Sequence, residues 1–282
     1  MQFSLIRSYA KVNLTLNVIG KFKNKLHKIE SLVSFLSLHD LIYLKPILSN
    51  CHNVYFKGKF SKGIKAKNTV QNLLDILDKK NFLKDQKFEI KIIKNIPQES
   101  GMGGGSMNAA FLIKYFLKKK FFKLEKNELS DLLKILGSDV ILGINPKNTI
   151  LFSNGKVKRI NYKTNFYTLV VKPNFGCSTK SIYSKVRSFT KPAYNHANHS
   201  LFSSKNLINS QNQLEEVAFK RYPRLKNLKL FLSKLPNVLF VRMSGSGSSI
   251  VAYFQSKKAI KNATKEFKKK YANYWYIISK TI

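Results

Sequence analysis

Four glycines lie within Pro97-Gln98-Glu99-Ser100-Gly101-Met102-Gly103-Gly104-Gly105-Ser106-Met107-Asn108-Ala109-Ala110. Residues 88–96 before this stretch alternate and predict a strand, and residues 109–117 after it are apolar and predict a helix. Glycine-rich backbone at a helix N-terminus presents bare N–H groups at the positive end of the helix dipole, which suits a phosphate. A flexible connector is the alternative, although a connector has little need for four glycines followed by Ser-x-Asn. We therefore predict an anion site here and call residues 97–108 the phosphate loop.

Composition bounds the class of protein. The chain has 282 residues, of which 44% are hydrophobic, enough for one large or two moderate domains. Its two cysteines, Cys51 and Cys177, have neither the spacing of a disulfide framework nor that of a metal site. No apolar run approaches the ~20 residues that span a bilayer, and the N-terminus lacks a signal-peptide pattern. We expect a cytoplasmic protein that has no membrane partner.

The net charge of +37 raises the question of a nucleic-acid partner. The positive charge is almost entirely lysine, with only six arginines, and it is spread along the whole chain. A nucleic-acid groove more often gathers arginines and aromatic residues on one element. We interpret the charge as compositional drift toward AT-rich codons and expect no specific nucleic-acid partner. A basic protein that binds nucleic acid remains the alternative from a different class.

The first half of the chain predicts several strands and two amphipathic helices. Strands are predicted at residues 3–9, 11–19, 29–38, 41–44 and 50–60, with His39-Asp40 separating the third from the fourth. A helix is predicted at 68–78 with Asn68 as its N-cap, and a second at 125–136, ended by Gly137.

The second half of the chain predicts a further set of strands and helices. Strands are predicted at 149–152, 157–160, 168–171, 238–242, 249–254 and 275–278, and helices at 179–186, 214–235 with a new start at Pro223, and 257–270. Residues 191–212 are polar and predict a mobile loop. Strands mixed with helices without strict alternation predict an α+β architecture. We place the domain boundary between residues 155 and 156, giving domains 1–155 and 156–282.

The phosphate loop is neither a dinucleotide fingerprint nor a Walker loop, because it lacks both glycine spacings and the Gly-Lys-Ser/Thr end. It resembles the central motif of the GHMP kinases. Two further segments resemble that family in the expected order: Ala10-Lys11-Val12-Asn13-Leu14 and Met243-Ser244-Gly245-Ser246-Gly247-Ser248. Leu26-His27 leading into residues 34–40 and Gly137-Ser138-Asp139-Val140 are also similar. The likeness covers nearly the whole chain and implies a two-domain fold with a mixed-sheet N-terminal domain and a ferredoxin-like C-terminal domain.

The resemblance implies an ATP- and Mg²⁺-dependent kinase acting on a small alcohol. The spacing is most similar to members that phosphorylate a cytidine diphosphate-linked methylerythritol on its 2-hydroxyl, in the non-mevalonate isoprenoid pathway. Another small alcohol, such as homoserine or a mevalonate derivative, is the first alternative. A monomer or a homodimer is expected, and no metal ligand is assigned.

The resemblance also implies roles for individual residues. Asp139 would accept the proton of the substrate hydroxyl and Lys11 would support it. Taken alone, an aspartate after a helix is more often a turn or capping residue, and a lysine such as Lys11 is common on edge strands of a lysine-rich chain. The implied ATP-binding residues are Asn68, Pro97, Gln98, Glu99, Ser100, Gly101, Met102, Gly103, Gly104, Gly105, Ser106 and Asn108. The implied substrate-binding residues are Asn13, His27, Tyr183, Gly245 and Gly247.

Four positions depart from the family pattern. Glu99 and Ser100 replace glycines, Met107 replaces a serine, and Leu26 stands where an aromatic residue normally precedes His27. Glu99 places a negative charge near the intended polyphosphate. These changes bear on efficiency and base selectivity more than on the class of reaction.

Overall fold

A computed structural model describes residues 2–23, 25–194 and 196–282 of the chain. These residues divide into two compact units. The first unit comprises the residues up to Lys11, Leu38–Pro97 and Gly103–Pro146, and the second comprises Val12–Ser37, Gln98–Met102 and Lys147–Ile282. Both units draw on several stretches of chain, so the predicted boundary after residue 155 stays a prediction.

The secondary structure mixes helices and strands. The strands are β1 (Ser4–Asn13), β2 (Asn17–Lys21), β3 (His27–Ile47), β4 (Asn53–Lys57), β5 (Lys87–Ile93), β6 (Thr149–Leu151), β7 (Val157–Arg159), β8 (Tyr167–Lys172), β9 (Phe240–Met243), β10 (Ile250–Phe254) and β11 (Trp275–Lys280). The helices are α1 (Thr69–Lys79), α2 (Gly104–Lys118), α3 (Lys126–Leu136), α4 (Val140–Ile144), α5 (Thr179–Tyr183), α6 (Ser204–Ile208), α7 (Leu214–Arg221), α8 (Pro223–Leu232) and α9 (Lys257–Tyr271). A 3₁₀ turn spans His199–Phe202. The α+β prediction is confirmed.

In the first unit, helices cover a mixed sheet. β5 pairs antiparallel with residues 41–47 of β3 and parallel with β4. α1 buries one face through Val70, Leu73, Leu74 and Leu77, because these residues recur at helical spacing. They share a core with the alternating Phe88, Ile90 and Ile92 of β5 and with the apolar side chains of α2.

The second unit is built on an antiparallel sheet in the order β11-β8-β10-β9. Every residue of β10 is buried, as expected for a central strand with α8 and α9 nearby. In the same unit β2 pairs with the first residues of β3, and β6 pairs with Ser31–Val33 and with β7. Within the described residues, no helix is both long enough and apolar enough to cross a membrane.

Several predicted boundaries were wrong, and long-range contacts explain the two largest errors. His39-Asp40 does not interrupt a strand: β3 is continuous over 21 residues, because buried Asp40 finds partners in the backbone N–H groups of Asn95 and Ile96. Residues 191–212 were predicted as a mobile loop but contain the 3₁₀ turn and α6, and the buried hydroxyl of Tyr194 hydrogen-bonds Thr15 Oγ1 at 2.5 Å. Residue 195, within that segment, lies outside the described residues.

Smaller shifts concern element ends. β1 continues to Asn13 and β2 starts at Asn17, whereas the prediction placed a break near residue 10. α2 begins at Gly104 instead of residue 109, since the glycines themselves adopt helical conformation. α4 was not predicted. The predicted N-cap Asn68 is confirmed, because its Oδ1 accepts from Val70 N and Gln71 N.

Candidate active site

Lys11 and Asp139 form an ion pair in the first unit. Lys11 Nζ lies 3.1 Å from Asp139 Oδ2, although the two residues are far apart in the sequence. The lysine side chain is 5% exposed and the aspartate side chain 34% exposed, so the carboxylate remains reachable from solvent. Asp139 precedes α4 but makes no capping hydrogen bond with its side chain. The capping alternative therefore does not account for this carboxylate.

Gly103 brings the start of α2 directly against this pair. Its φ of +68° is left-handed, and a Cβ there would lie 3.1 Å from Cε of Lys11 and 3.7 Å from Oδ2 of Asp139. A glycine serves here because it tolerates both the backbone angle and the close approach. The positive end of a 15-residue helix thus lies where the predicted base and its lysine meet.

Met107 holds α4 beside α2. Its side chain is fully buried, and a Cβ at Gly143 would lie 3.1 Å from its Sδ and 2.6 Å from the Cβ of Ala110. The residue that departs from the family pattern therefore packs in the core against Gly143 of α4.

The N-terminus of α1 lies next to that of α2. A Cβ at Gly105 would be 3.4 Å from Thr69 Oγ1, in the first turn of α1. A cavity of about 440 Å³ opens beside this helix start, and Val54, Phe56, Asn68 and Gln71 contribute to its wall. In the first unit, then, an anion-attracting helix end lies near a cavity large enough for a flat ring system.

The first half of the phosphate loop belongs to the second unit, where the glycine turn of residues 244–248 holds it. Ser244 Oγ donates to the carbonyl of Gly101 at 2.9 Å and accepts from Asn13 N at 3.3 Å. The backbone N–H groups of Ser248 and Ser249 donate to the carbonyls of residues 99 and 100 at 3.1 and 3.2 Å. A Cβ at Gly101 would overlap the carbonyl group of Ser244. Two glycine segments far apart in the sequence are therefore packed backbone to backbone.

Glu99 points its side chain at the segment after β8. A Cβ at Gly176 would lie 2.5 Å from the Cβ of Glu99, so the two residues are in close contact. Burial lowers the pKa of Lys172, and the nearby charge of Glu99 partly opposes that shift. The carboxylate thus lies close to a cation. Glu99 itself has a left-handed φ of +47°, which a glycine would adopt without strain.

Two further groups of predicted substrate residues lie in the second unit. The rings of His27 and Tyr183 are 5.0 Å apart at a tilt of 41°. His27 Nε2 is buried without a hydrogen-bond partner among the described residues, and burial together with the charge of Lys21 lowers the pKa of His27. Asn13 Nδ2 donates to Ser31 Oγ at 2.8 Å, and its Oδ1 lies near Gly245, where a Cβ would be 3.3 Å away.

The predicted residues therefore fall into both units. The first unit contains Lys11, Asn68, Pro97, Gly103, Gly104, Gly105, Ser106, Asn108 and Asp139. The second contains Asn13, His27, Gln98, Glu99, Ser100, Gly101, Met102, Tyr183, Gly245 and Gly247. Their roles stay predictions.

Comparison with known proteins gives the family. The model of the GHMP kinases N terminal domain matches residues 66–148, and that of the GHMP kinases C terminal domain matches residues 192–273. A Pelagibacter ubique protein named 4-diphosphocytidyl-2-C-methyl-D-erythritol kinase is 57% identical over 98% of both chains. The chain belongs to the GHMP kinase family. A Clostridium botulinum protein of the same name is 31% identical, with 95% of this chain and 96% of that protein covered.

Solved structures of the family share the fold. A crystal structure of 4-(cytidine 5'-diphospho)-2C-methyl-D-erythritol kinase superposes with a TM-score of 0.80 at 22% identity, covering 99% of both chains. Homoserine kinase from Cytophaga hutchinsonii superposes with a TM-score of 0.66 at 15% identity, covering 97% of this chain and 94% of that one. The two-domain GHMP fold that the motifs imply is confirmed.

Sequence reasoning missed several residues that shape the site. Lys94 and Asp40 form a buried ion pair, and a Cβ at Gly104 would lie 3.2 Å from Lys94 Nζ. Asn212 holds the glycine turn of residues 244–248 through two carbonyl groups. The aspartate in the middle of the apolar pattern of β3 could have signalled the buried Asp40–Lys94 pair. No local pattern marks Asn212, because the carbonyl groups to which it donates lie 31 and 33 residues away in the sequence.

Proposed function

We propose that this chain transfers the γ-phosphoryl group of ATP to the 2-hydroxyl of 4-diphosphocytidyl-2-C-methyl-D-erythritol, in the non-mevalonate isoprenoid pathway. The observation that carries the proposal is the Lys11–Asp139 pair beside Gly103 at the start of α2. The 57% identity to a protein of that name supports the choice of substrate. We also infer a cytoplasmic enzyme that acts as a monomer or a homodimer.

ATP would bind along the starts of α1 and α2. Its polyphosphate suits the backbone N–H groups of residues 101–106, where the helix dipole and the glycines favour an anion. Its adenine suits the cavity beside Asn68, since Thr69 and Gly105 bring the two helix starts together. The ammonium of Lys94, paired with buried Asp40, lies against Gly104 at the same helix end and orients its N–H bonds there without adding net charge.

Mg²⁺ would accompany the ATP. Across residues 2–23, 25–194 and 196–282, no group of three or more His, Cys, Asp or Glu side chains could hold a metal ion. Mg²⁺ in kinases usually relies on phosphate oxygens and water plus one or two protein oxygens. Asn108 Oδ1, which is buried and without a partner among the described residues, fits that need. The Ser106 hydroxyl, in the first turn of α2, would be the second protein oxygen. Bound there, the ion would neutralise charge on the transferred phosphoryl group.

Asp139 and Lys11 would handle the proton. The substrate hydroxyl places its hydrogen on an oxygen of Asp139 as its own oxygen attacks the γ-phosphorus, and the bond to the β-phosphate bridging oxygen breaks. The Lys11 ammonium, 3.1 Å from that carboxylate, stabilises negative charge developing on the attacking oxygen. The products are ADP and the phosphorylated alcohol, without a covalent enzyme intermediate.

The cytidine end would be recognised by His27 and Tyr183. A buried imidazole nitrogen without a partner can hydrogen-bond a base edge, and the adjacent aromatic ring can stack on it. A pKa of His27 below its usual value favours the neutral ring, which can accept as well as donate.

The test is ATP turnover by the purified protein with the cytidyl substrate. Asp139→Asn should reduce kcat by about 10²–10⁴-fold, the usual contribution of a positioned base. Asp131→Asn is the matched control, because Asp131 is 69% exposed and pairs only with Lys134 on the surface of α3 among the described contacts. Full activity in Asp139→Asn would overturn the assignment of the base. Turnover of homoserine or a mevalonate derivative, without competition by cytidine diphosphate, would overturn the assignment of the substrate.

A further inference from the structure

The end of β9 needs hydrogen-bond partners that no strand within the described residues supplies. β9 lies at the edge of its sheet, with β10 on its other side. The backbone N–H of Ser244 donates to the carbonyl of Ser249, on the side of β9 that faces β10. Because N–H and C=O groups alternate in direction along a strand, those of Met243 point away from β10. All residues of β9 and of the following turn 244–248 are buried, and an unpaired backbone group is costly in such a place.

Asn212 and Glu215 provide those partners. Asn212 Nδ2 donates to the carbonyls of Met243 at 2.8 Å and Gly245 at 2.7 Å. Glu215 Oε1 accepts from Met243 N at 2.8 Å. Asn212 Oδ1 also accepts from Leu214 N at 3.0 Å, at the start of α7. One buried amide side chain therefore joins the start of a helix to the glycine turn.

The position of this turn sets the position of the phosphate loop's first half. Ser244 and the N–H groups of Ser248 and Ser249 bond the carbonyls of residues 99–101. Gly101 approaches Ser244 so closely that no side chain fits between them. A displaced Gly245 would thus carry residues 99–101 with it.

We propose that Asn212 is a positioning residue for phosphoryl transfer, acting through the glycine turn of residues 244–248 on the phosphate loop. The inference rests on the proposed function only in taking residues 97–108 as the ATP phosphate site. Asn212 contacts neither ATP nor the alcohol in this scheme. Its amide hydrogens fix the two carbonyls that place the turn.

Asn212→Asp is the sharpest perturbation. Aspartate keeps the shape of the side chain and an oxygen that can accept from Leu214 N. It loses both donors and turns an oxygen toward two carbonyl oxygens. Because misplacement of binding groups by about 1 Å can cost 10²-fold, kcat/KM for ATP should fall about 10–100-fold. Asn209→Asp is the matched control, since it makes the same change at an exposed amide that bonds Lys205 O, and it should leave kcat/KM unchanged.

Amide hydrogen exchange provides the second readout. In Asn212→Asp, the amides of Ser248 and Ser249 should exchange about tenfold faster or more, while those of α1 in the first unit should be unaffected. Asn212→Ser replaces the two-donor amide with a shorter hydroxyl that can donate to at most one of the two carbonyls, and it adds no charge. It should show the same pattern, so it replaces the aspartate variant if that one does not fold. Wild-type kcat/KM and exchange in a folded variant would overturn the proposal. So would unfolding of both variants, because Asn212 would then serve stability alone. If the wild-type protein turns over no cytidyl substrate, the proposed function fails, whereas the exchange data still decide whether Asn212 holds the turn.

Discussion

The buried pair Asp40–Lys94 allows a quantitative test of how the phosphate loop is anchored. Asp40 is fully buried and Lys94 is 4% exposed. Asp40 Oδ2 pairs with the ammonium of Lys94. Asp40 Oδ1 accepts hydrogen bonds from Asn95 N at 2.7 Å and from Ile96 N at 2.8 Å. These are the residues that lead from β5 into the phosphate loop. The perturbation is Asp40→Asn, which preserves shape but removes the charge.

The loss of stability expected for Asp40→Asn follows from the Lys94 charge that stays buried. The amide oxygen that the substitution introduces can still accept from the two backbone N–H groups, so those bonds survive. The new NH₂ group then faces the Lys94 ammonium, donor against donor, and the lysine charge is left uncompensated in the interior. Removing one partner of a buried ion pair typically costs about 3–5 kcal/mol. Relative to a total stability on the order of 5–15 kcal/mol, this loss is large.

A double-mutant cycle separates charge from packing. Lys94→Met replaces the ammonium with an apolar chain of similar length, so Asp40→Asn/Lys94→Met should recover about 1–3 kcal/mol relative to the sum of the single variants. The assay is urea denaturation, with the free energy of unfolding taken from the midpoint and slope. Glu266→Gln is the control, because its ion pair with Lys269 lies on the exposed surface of α9, and it should cost at most about 0.5 kcal/mol.

Two outcomes would refute this reasoning. A loss below about 1 kcal/mol in Asp40→Asn would mean that the pair is screened or that the lysine finds another partner. A double variant no more stable than predicted by adding the single losses would mean that the two side chains act independently. Either result would remove the electrostatic account of why an aspartate interrupts the apolar pattern of β3.

Three further predictions concern single residues. Glu99→Gly should raise the free energy of unfolding by up to about 1 kcal/mol in urea titration, because glycine relieves the left-handed backbone at φ +47°; a loss instead would show that the contacts of the carboxylate outweigh the strain. With a thiol reagent at pH 8, the folded protein should react at exposed Cys51 alone, since Cys177 is buried and burial raises its pKa to about 11; labelling of native Cys51→Ser would contradict this. An NMR titration should place the pKa of His27 below 6.5, and Lys21→Gln should raise it; an unchanged midpoint would exclude the lysine as a cause. Because the folded pKa lies below the unfolded value, the stability contributed by neutral His27 is complete above about pH 6.5 and declines as the pH falls toward the folded pKa.

Much of the local structure follows from the sequence alone. α1 is predictable because four apolar residues recur at helical spacing behind Asn68, whose side chain caps the helix without help from distant residues. The phosphate loop is recognisable because a strand, a glycine run and a helix follow each other directly in the chain. The family resemblance of three motifs also lies in the sequence, and the comparisons confirm it.

Tertiary structure decided what lies outside the reach of local patterns. Asp40 looks like a strand break until Lys94 and the backbone of residues 95 and 96 satisfy it, and residues 191–212 look mobile until Tyr194 and Asn212 are seen buried. The ion pair of Lys11 with Asp139 and the hold of Asn212 on Gly245 depend on partners far along the chain. Local propensity depends only on residues that are close in the sequence. A buried polar group is stabilised by a hydrogen-bond partner that can come from anywhere in the folded chain.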